Sequence, residues 1–248
     1  MKYFVLGSKG FVGSNISNTL KKLDLNIEQL NREKFDITNQ EDYKKYDFSH
    51  SIIIDCIASI DSKTDELFRI NVYGLKNFIN YLNLNCENFR YIYVSTTSTQ
   101  IQCQIKNNNY VKSKFLAEEY LKQHLVEYKI LRLIFPFGKG ENSNRLISRL
   151  IDKIKRNEEL IIDNIFLNLT PIELLNEKII DLLKNNDKEI NFTDEKVYSL
   201  KDIVDFIYKV LKIEAKYIFN KKEIHLNLNN YSSLSDISEI ESFIKRML

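Results

Sequence analysis

The chain has 248 residues, with 36 Lys and Arg against 34 Asp and Glu, and a formal net charge of +2. This length holds one large domain, or one domain with a small second lobe, and a hydrophobic share of 44% is ample for a buried core. The charge balance argues against generic nucleic-acid binding, because no basic excess remains to neutralise phosphates. No apolar run approaches the roughly 20 residues of a membrane-spanning helix, and the opening MKYFVLGSKG lacks the apolar core and cleavage site of a secretory signal. A cytoplasmic protein with neither membrane nor nucleic acid as partner is expected. Cys56, Cys86 and Cys103 form no CxxC, and His50, His124 and His225 form no HExxH. Neither a disulfide framework nor a metal site is therefore expected.

Lys2–Leu6 reads as a buried strand, followed by glycines and a helix over about Val12–Leu23. Further strands are predicted at Asn26–Leu30, Ser51–Cys56, Arg90–Ser95 and Lys129–Ile134. Helical spacing covers Asp65–Leu82 and Tyr110–Tyr128. Strands alternating with helices predict an α/β fold, a doubly wound parallel sheet with helices on both faces. SIIIDC and KILRLI fit strands buried on both sides. After Gly140, helices are predicted over Asn144–Arg156 and Pro171–Leu183, with a short apolar stretch Leu160–Ile162 between them. Glu189–Phe192 resembles a strand, and Ser199–Leu211 a helix opened by a serine cap. The expected division is a Rossmann-like dinucleotide-binding domain over 1–140, completed by 171–193. A small C-terminal substrate lobe would take 141–170 and 194–248.

Three groups of residues carry chemistry. Gly7-Ser-Lys9-Gly10-Phe11-Val12-Gly13 lies between the first strand and first helix, and holds half of the six glycines. Glycines permit a positive φ and let a pyrophosphate reach backbone N–H groups at a helix N-terminus. Tyr110-Val-Lys-Ser-Lys114 places a phenol and an ammonium on one helical face, and a nearby cation lowers a tyrosine pKa that is otherwise near 10. Val94-Ser95-Thr96-Thr97 ends the fourth strand, and strand carboxyl ends are where such folds build sites.

The GxxGxxG spacing, the Ser/Thr at the fourth strand and YxxxK occur in the order of the short-chain dehydrogenase/reductase superfamily. The chain resembles its extended, sugar-nucleotide-modifying branch over most of residues 1–211. That resemblance implies a Thr96–Tyr110–Lys114 triad, with Thr96 hydrogen-bonding the reacting oxygen and Ser95 and Thr97 as nearby competitors. Asn71-Val-Tyr-Gly74 is similar to the family's helix-opening Asn-Val-x-Gly, and RLIFPFG, with Phe135 and Phe137, to the strand and loop that pass the nicotinamide. LNLTPIE and VYSLKDIVDFIYKVL are similar to the branch's C-terminal segments. The resemblance also places Asn144 and Arg145 near the substrate's nucleotide diphosphate, and implies a homodimer through helices 65–82 and 110–128.

The second strand ends in Asn31-Arg32, where members preferring NAD usually carry an acid for the ribose 2′-OH. An arginine suits a 2′-phosphate, so NADP is the expected cofactor, with NAD as the alternative. Arg32-x-x-x-Asp36-Ile37 resembles the 4-keto sugar reductases of the dTDP-4-dehydrorhamnose and GDP-fucose synthase type, in which Asp-Ile borders the adenine. The chain departs from the family in two places. The small-residue run after the third strand is Asp55-Cys-Ile57-Ala58-Ser59, with a bulky Ile57 beside the cofactor. Only thirteen residues separate Thr96 from Tyr110.

The resemblance implies NADPH-dependent reduction of the C4 ketone of a nucleotide-linked sugar. Thr96, Thr97, Tyr110, Asn144 and Arg145 are the candidate substrate contacts. An NAD-dependent C4 epimerase is the alternative within the family, while Thr97-Ser98-Thr99-Gln100, which has no acid, counts against a dehydratase. A non-catalytic dinucleotide-binding sensor or scaffold is the alternative of another class.

Overall fold

A computed structural model of the chain describes residues 1–60, 63–141, 143, 145–193, 196–226, 235 and 237–248. In chain order the elements are β1 (Lys2–Leu6), α1 (Phe11–Lys22), β2 (Ile27–Leu30), α2 (Gln40–Tyr43), β3 (Ser51–Asp55) and α3 (Thr64–Phe68). A π-helical segment, Arg69–Gly74, leads into α4 (Leu75–Asn85), followed by β4 (Arg90–Thr96), a 3-10 turn (Thr97–Gln100), α5 (Gln102–Asn107), α6 (Asn109–His124) and β5 (Tyr128–Leu133). Then come β6 (Pro136–Phe137), α7 (Leu146–Lys155), β7 (Leu160–Leu167), β8 (Thr170–Pro171), α8 (Ile172–Lys184), β9 (Glu189–Phe192), β10 (Tyr198–Ser199), α9 (Leu200–Leu211), β11 (Tyr217–Leu226) and α10 (Ser238–Lys245).

The chain divides into two compact units. Residues 1–133 and 179–191 make the first, and residues 134–178 and 192–248 the second. The principal sheet runs β2-β1-β3-β4-β5-β9. β1 pairs in parallel with β2 and β3, β3 with β4, and β4 with β5, as the strand–helix alternation predicts. Every residue of β3 is buried, as a strand covered on both faces requires. Strand order reverses between β1 and β3, the switch point where open α/β sheets take ligands beyond the strand ends. On one face Phe4, Leu6, Ile53, Tyr91 and Tyr93 pack with Leu75, Phe78, Ile79 and Leu82 of α4 and Ala117 and Leu121 of α6. Phe78 stands edge-on to Phe35 and Phe48, with ring centroids 5.0 and 5.1 Å apart.

In the second unit, β7 pairs in parallel with β11 and antiparallel with β10. Its core joins Ile147, Leu150, Ile151 and Ile154 of α7 to Leu160, Ile162 and Leu167 of β7 and Ile203, Val204 and Ile207 of α9. The Ser199 hydroxyl accepts the Asp202 amide at 3.4 Å, the cap its sequence position suggests.

Some elements differ from expectation. β7 runs on through Asp163 and Asn164 to Leu167, where the apolar pattern suggested only Leu160–Ile162, because β11 satisfies its backbone along that length. The thirteen residues between Thr96 and Tyr110, for which no element was predicted, contain the 3-10 turn and α5. Among the described residues no helix is long and apolar enough to cross a membrane.

Candidate active site

The glycine turn is built by close backbone packing. Gly7 has φ +68°, and a Cβ there would lie 3.0 Å from the Cys56 carbonyl carbon and oxygen. A Cβ on Gly13 would come within 2.4 Å of the Gly7 oxygen. The Gly10 amide donates to that same oxygen at 2.9 Å, closing the turn. α1 begins at Phe11 with Gly10 as its cap and no side-chain hydrogen bond, so no side chain blocks its first-turn amides. These residues form a narrow backbone cradle at a helix N-terminus and fit the pyrophosphate of a dinucleotide. Lys9 is exposed and reaches Glu33 at 2.9 Å.

At the end of β2, Asn31 Oδ1 accepts the amides of Glu33 and Lys34 at 3.0 and 3.2 Å and shapes the turn that presents Arg32. The Arg32 guanidinium is exposed and lies 3.8 Å from Asp36 and 3.9 Å from Glu66, long contacts of little strength. Asp36 Oδ1 accepts the Thr38 amide at 2.9 Å and its hydroxyl at 2.8 Å. Ile37 is buried, and its carbonyl accepts the Tyr43 hydroxyl at 2.6 Å.

Beyond β3, Ile57 is half-buried, its amide donating to Asp55 Oδ1 at 2.8 Å, and Ala58 is exposed. Asn71, on the π-helical segment, joins this loop to α6. Its Oδ1 accepts the Ser59 amide at 2.7 Å, and its Nδ2 donates to the Ser59 carbonyl at 2.9 Å and to the Ser113 hydroxyl at 3.0 Å. The Ser113 hydroxyl in turn donates to the Tyr110 carbonyl at 2.7 Å.

Tyr110 and Lys114 lie one turn apart on α6, whose first turn is capped by the Asn108 side chain accepting the Val111 amide. Tyr110 is half-buried, whereas Lys114 is 1% exposed. The Lys114 ammonium sits 3.9 Å from the centroid of the Tyr93 ring. Burial pulls its pKa down to about 8, while the charges of Asp55 and Glu118 act to raise it. Thr96 is half-buried at the carboxyl end of β4. Its Oγ1 accepts the Ser98 amide at 3.4 Å, which leaves the hydroxyl proton to donate. Thr97 is 1% exposed, so Thr96 presents the more accessible hydroxyl.

Ser95, expected at the cofactor, instead turns its hydroxyl to Glu118 at 2.5 Å, on the α6 side of the strand. Glu118 is 2% exposed and also accepts Thr99 Oγ1 at 2.9 Å and Arg132 Nη2 at 2.6 Å, while Arg132 extends to Glu189 at 2.6 Å. The sequence reading missed Glu118 and Asp55. Glu118 continues the four-residue spacing of Tyr110 and Lys114, a signal that was present. Asp55 carried none beyond an acid at the end of an apolar strand.

Phe135, Phe137 and Arg145 belong to the second unit. Phe135 has φ +38° and is partly exposed, but Phe137 is 1% exposed within that unit's apolar core, a packing position where a nicotinamide contact was expected. Arg145 precedes α7 and donates to the Pro136 carbonyl at 3.4 Å. Asn144 lies outside the described residues.

A parallel sheet with a glycine cradle at its switch point and a Tyr–Lys pair on a flanking helix defines a nucleotide-binding oxidoreductase scaffold. Residues 3–171 match the NAD dependent epimerase/dehydratase family. The chain belongs to that family and is an NAD(P)-dependent enzyme of the extended short-chain dehydrogenase/reductase type. No curated protein sequence matches it significantly. Among solved structures it resembles dTDP-4-dehydrorhamnose reductase from Bacillus anthracis in complex with NADP, at 18% identity and TM-score 0.77, covering 99% of this chain and 98% of that one. GDP-mannoheptose C4 reductase from Campylobacter jejuni with NADP bound is similar at 16% identity and TM-score 0.75, over 99% and 96%. UDP-glucuronic acid 4-epimerase from Bacillus cereus in complex with NAD is similar at 17% identity and TM-score 0.74, over 99% of both chains.

Proposed function

We propose that the protein reduces the C4 ketone of a nucleotide-activated 4-keto sugar, of deoxyhexose or heptose type, in cytoplasmic synthesis of surface-polysaccharide sugars. The observation that carries the reading is the buried Lys114 one turn from a half-buried Tyr110, on a chain whose solved likenesses include two NADP-bound sugar-nucleotide reductases.

NADPH supplies the hydride received by the C4 carbon. Tyr110 donates its phenolic proton to the C4 oxygen, completing the alcohol. Lys114 favours the phenolate left behind and holds the nicotinamide ribose, and Thr96 orients the C4 oxygen by a hydrogen bond from its hydroxyl, keeping its own proton. Gly7, Gly10 and Gly13, with the first-turn amides at Phe11, Val12 and Gly13, hold the pyrophosphate. Arg32 takes the 2′-phosphate in place of its two long ion pairs, with Lys9 and Asn31 nearby, and Asp36 and Ile37 border the adenine. Arg145, with Asn144, serves the substrate's diphosphate. The protein acts as a homodimer through 65–82 and 110–128, where Tyr73 and Val126 are the exposed large apolar residues.

The test is spectrophotometric, with dTDP-, GDP-, UDP- and CDP-linked 4-keto sugars offered in turn. Oxidation of NADPH with one of them is expected, and its absence with all four sinks the reading. The likeness to an NAD-bound 4-epimerase supports a second reading, in which the purified protein retains NAD and shows no net turnover. A Tyr110→Phe variant that keeps both cofactor binding and biological function would instead point to a sensor.

A further inference from the structure

Behind the glycine cradle lies a buried carboxylate that the proposed chemistry does not use. Asp55, the last residue of β3, is 1% exposed. Tyr91 donates its hydroxyl to Asp55 Oδ2 at 2.7 Å, and the Ile57 amide donates to Oδ1 at 2.8 Å. In the β3–β4 ladder Asp55 is the register partner of Tyr93, the residue whose ring carries the Lys114 ammonium. Tyr91 and Tyr93 share one face of β4, so Asp55 and Lys114 meet the same pair of rings. An isolated carboxylate at such depth is costly unless a positive charge compensates it. Lys114 is the cation that acts on it among the described residues.

The geometry points to Asp55 as a positioning residue for Lys114, a carboxylate locked by Tyr91 and the Ile57 amide that holds the ammonium in place over the Tyr93 ring. This deepens the reductase reading and rests on it for the role of Lys114. Among the other groups around the ammonium, Glu118 of the same helix also acts on it, after Asp55, but its carboxylate is engaged by Arg132 of β5 and by Ser95 and Thr99. Cys56 beside Asp55 is held as a thiol by burial, and Tyr93 as a neutral phenol by burial. Tyr110 is half-buried one turn away, and Asn71 and Ser113 are uncharged. Burial pushes the Asp55 carboxyl up and the Lys114 ammonium down, and the charge of each opposes that drift in the other.

The test uses the full-length, cofactor-free protein with carbon-13 in the lysine ε positions, following the Lys114 resonance, assigned by its loss in Lys114→Arg, as pH is raised. In the wild type the midpoint should lie near 8. In Asp55→Asn, which keeps the shape and one of the two hydrogen-bond acceptors, it should fall by about one unit or more, as loss of an opposite charge in the same buried site requires. A purely structural Asp55 predicts no such movement, so a fall of less than about half a unit overturns the proposal. Should that variant fail to fold, the wild-type Asp55 carboxyl resonance decides. An ionised carboxylate at neutral pH that senses the Lys114 transition supports the proposal, and a protonated one overturns it. NADPH binding by the wild type is measured separately. Its failure defeats the reductase reading, while an unmoved Lys114 midpoint beside normal NADPH binding defeats this inference alone.

Discussion

Glu118 and Arg132 meet at 2.6 Å with side chains 2% and 4% exposed, tying the centre of α6 to β5 across the sheet face. Ser95 and Thr99, which bracket Thr96 and Thr97, donate to the same carboxylate. The strand end that presents Thr96 is thereby fixed from beneath. Removing one partner from a buried pair leaves an uncompensated charge and costs about 3–5 kcal/mol. Glu118→Gln retains some hydrogen bonding and leaves Arg132 its contact with Glu189, so a loss of about 3 kcal/mol is expected in denaturant unfolding. A loss below about 1 kcal/mol would show that the pair contributes little.

Gly13→Ala puts a methyl group where 2.4 Å separates it from the Gly7 oxygen. The turn must open, at an overpacking cost of about 1–3 kcal/mol, and NADPH binding should weaken at least about tenfold with it. In Gly10→Ala the same atom is 3.2 Å away, and the destabilisation should be smaller. Thermal melts and NADPH titrations of both variants check the ranking.

Arg32→Ala should leave stability within about 0.5 kcal/mol, because the side chain is exposed and its ion pairs are long. The ratio of NADPH to NADH affinity should fall by about tenfold or more, the worth of a charged hydrogen bond to phosphate. Unchanged relative affinities would remove Arg32 from the 2′-phosphate site.

Lys114 also makes stability depend on pH. Its pKa in the fold is about 8, against 10.5 for an ordinary lysine. Between those values the unfolded chain binds the proton that the folded chain has lost, so stability rises with pH across that interval. Below it both states are protonated, and the full cost of the buried charge is present. Relative to Lys114→Met, the wild type should gain on the order of 2–3 kcal/mol between the two pH values. Unfolding of both proteins by denaturant at several pH values measures the difference.

Much of the first unit was legible because its physics is local. An apolar run such as SIIID has room for only one reading between a turn and a helix. The YxxxK spacing likewise fixes which two side chains share a helical face. Elements whose stability comes from pairing left no such trace. β7 continues past Asp163 and Asn164 only because β11 lies beside it, and the middle of β11, residues 220–223, is itself polar. α5 buries no residue, so no apolar period announces it. The candidate site divides the same way. Gly7, Tyr110 and Lys114 belong to short motifs, whereas the partners that set their environment, Asp55 and Arg132, arrive from other strands. The resemblance preferred Thr96 to Thr97, and the burial of Thr97 adds a physical ground that the sequence did not carry.

The π-helical turn at Arg69–Gly74 has a consequence for how this chain can change in length. An α-helix advances about 100° per residue, so widening one turn offsets the phase of everything after it. That offset lets Asn71 face Ser59 and Ser113 while Leu75, Phe78, Ile79 and Leu82 still face the core. Deleting one residue here would restore an ordinary helix and force a choice between the clamp and the apolar stripe. The segment is therefore under a constraint on spacing rather than on composition alone. Substitutions within it should be far better tolerated than any single-residue deletion.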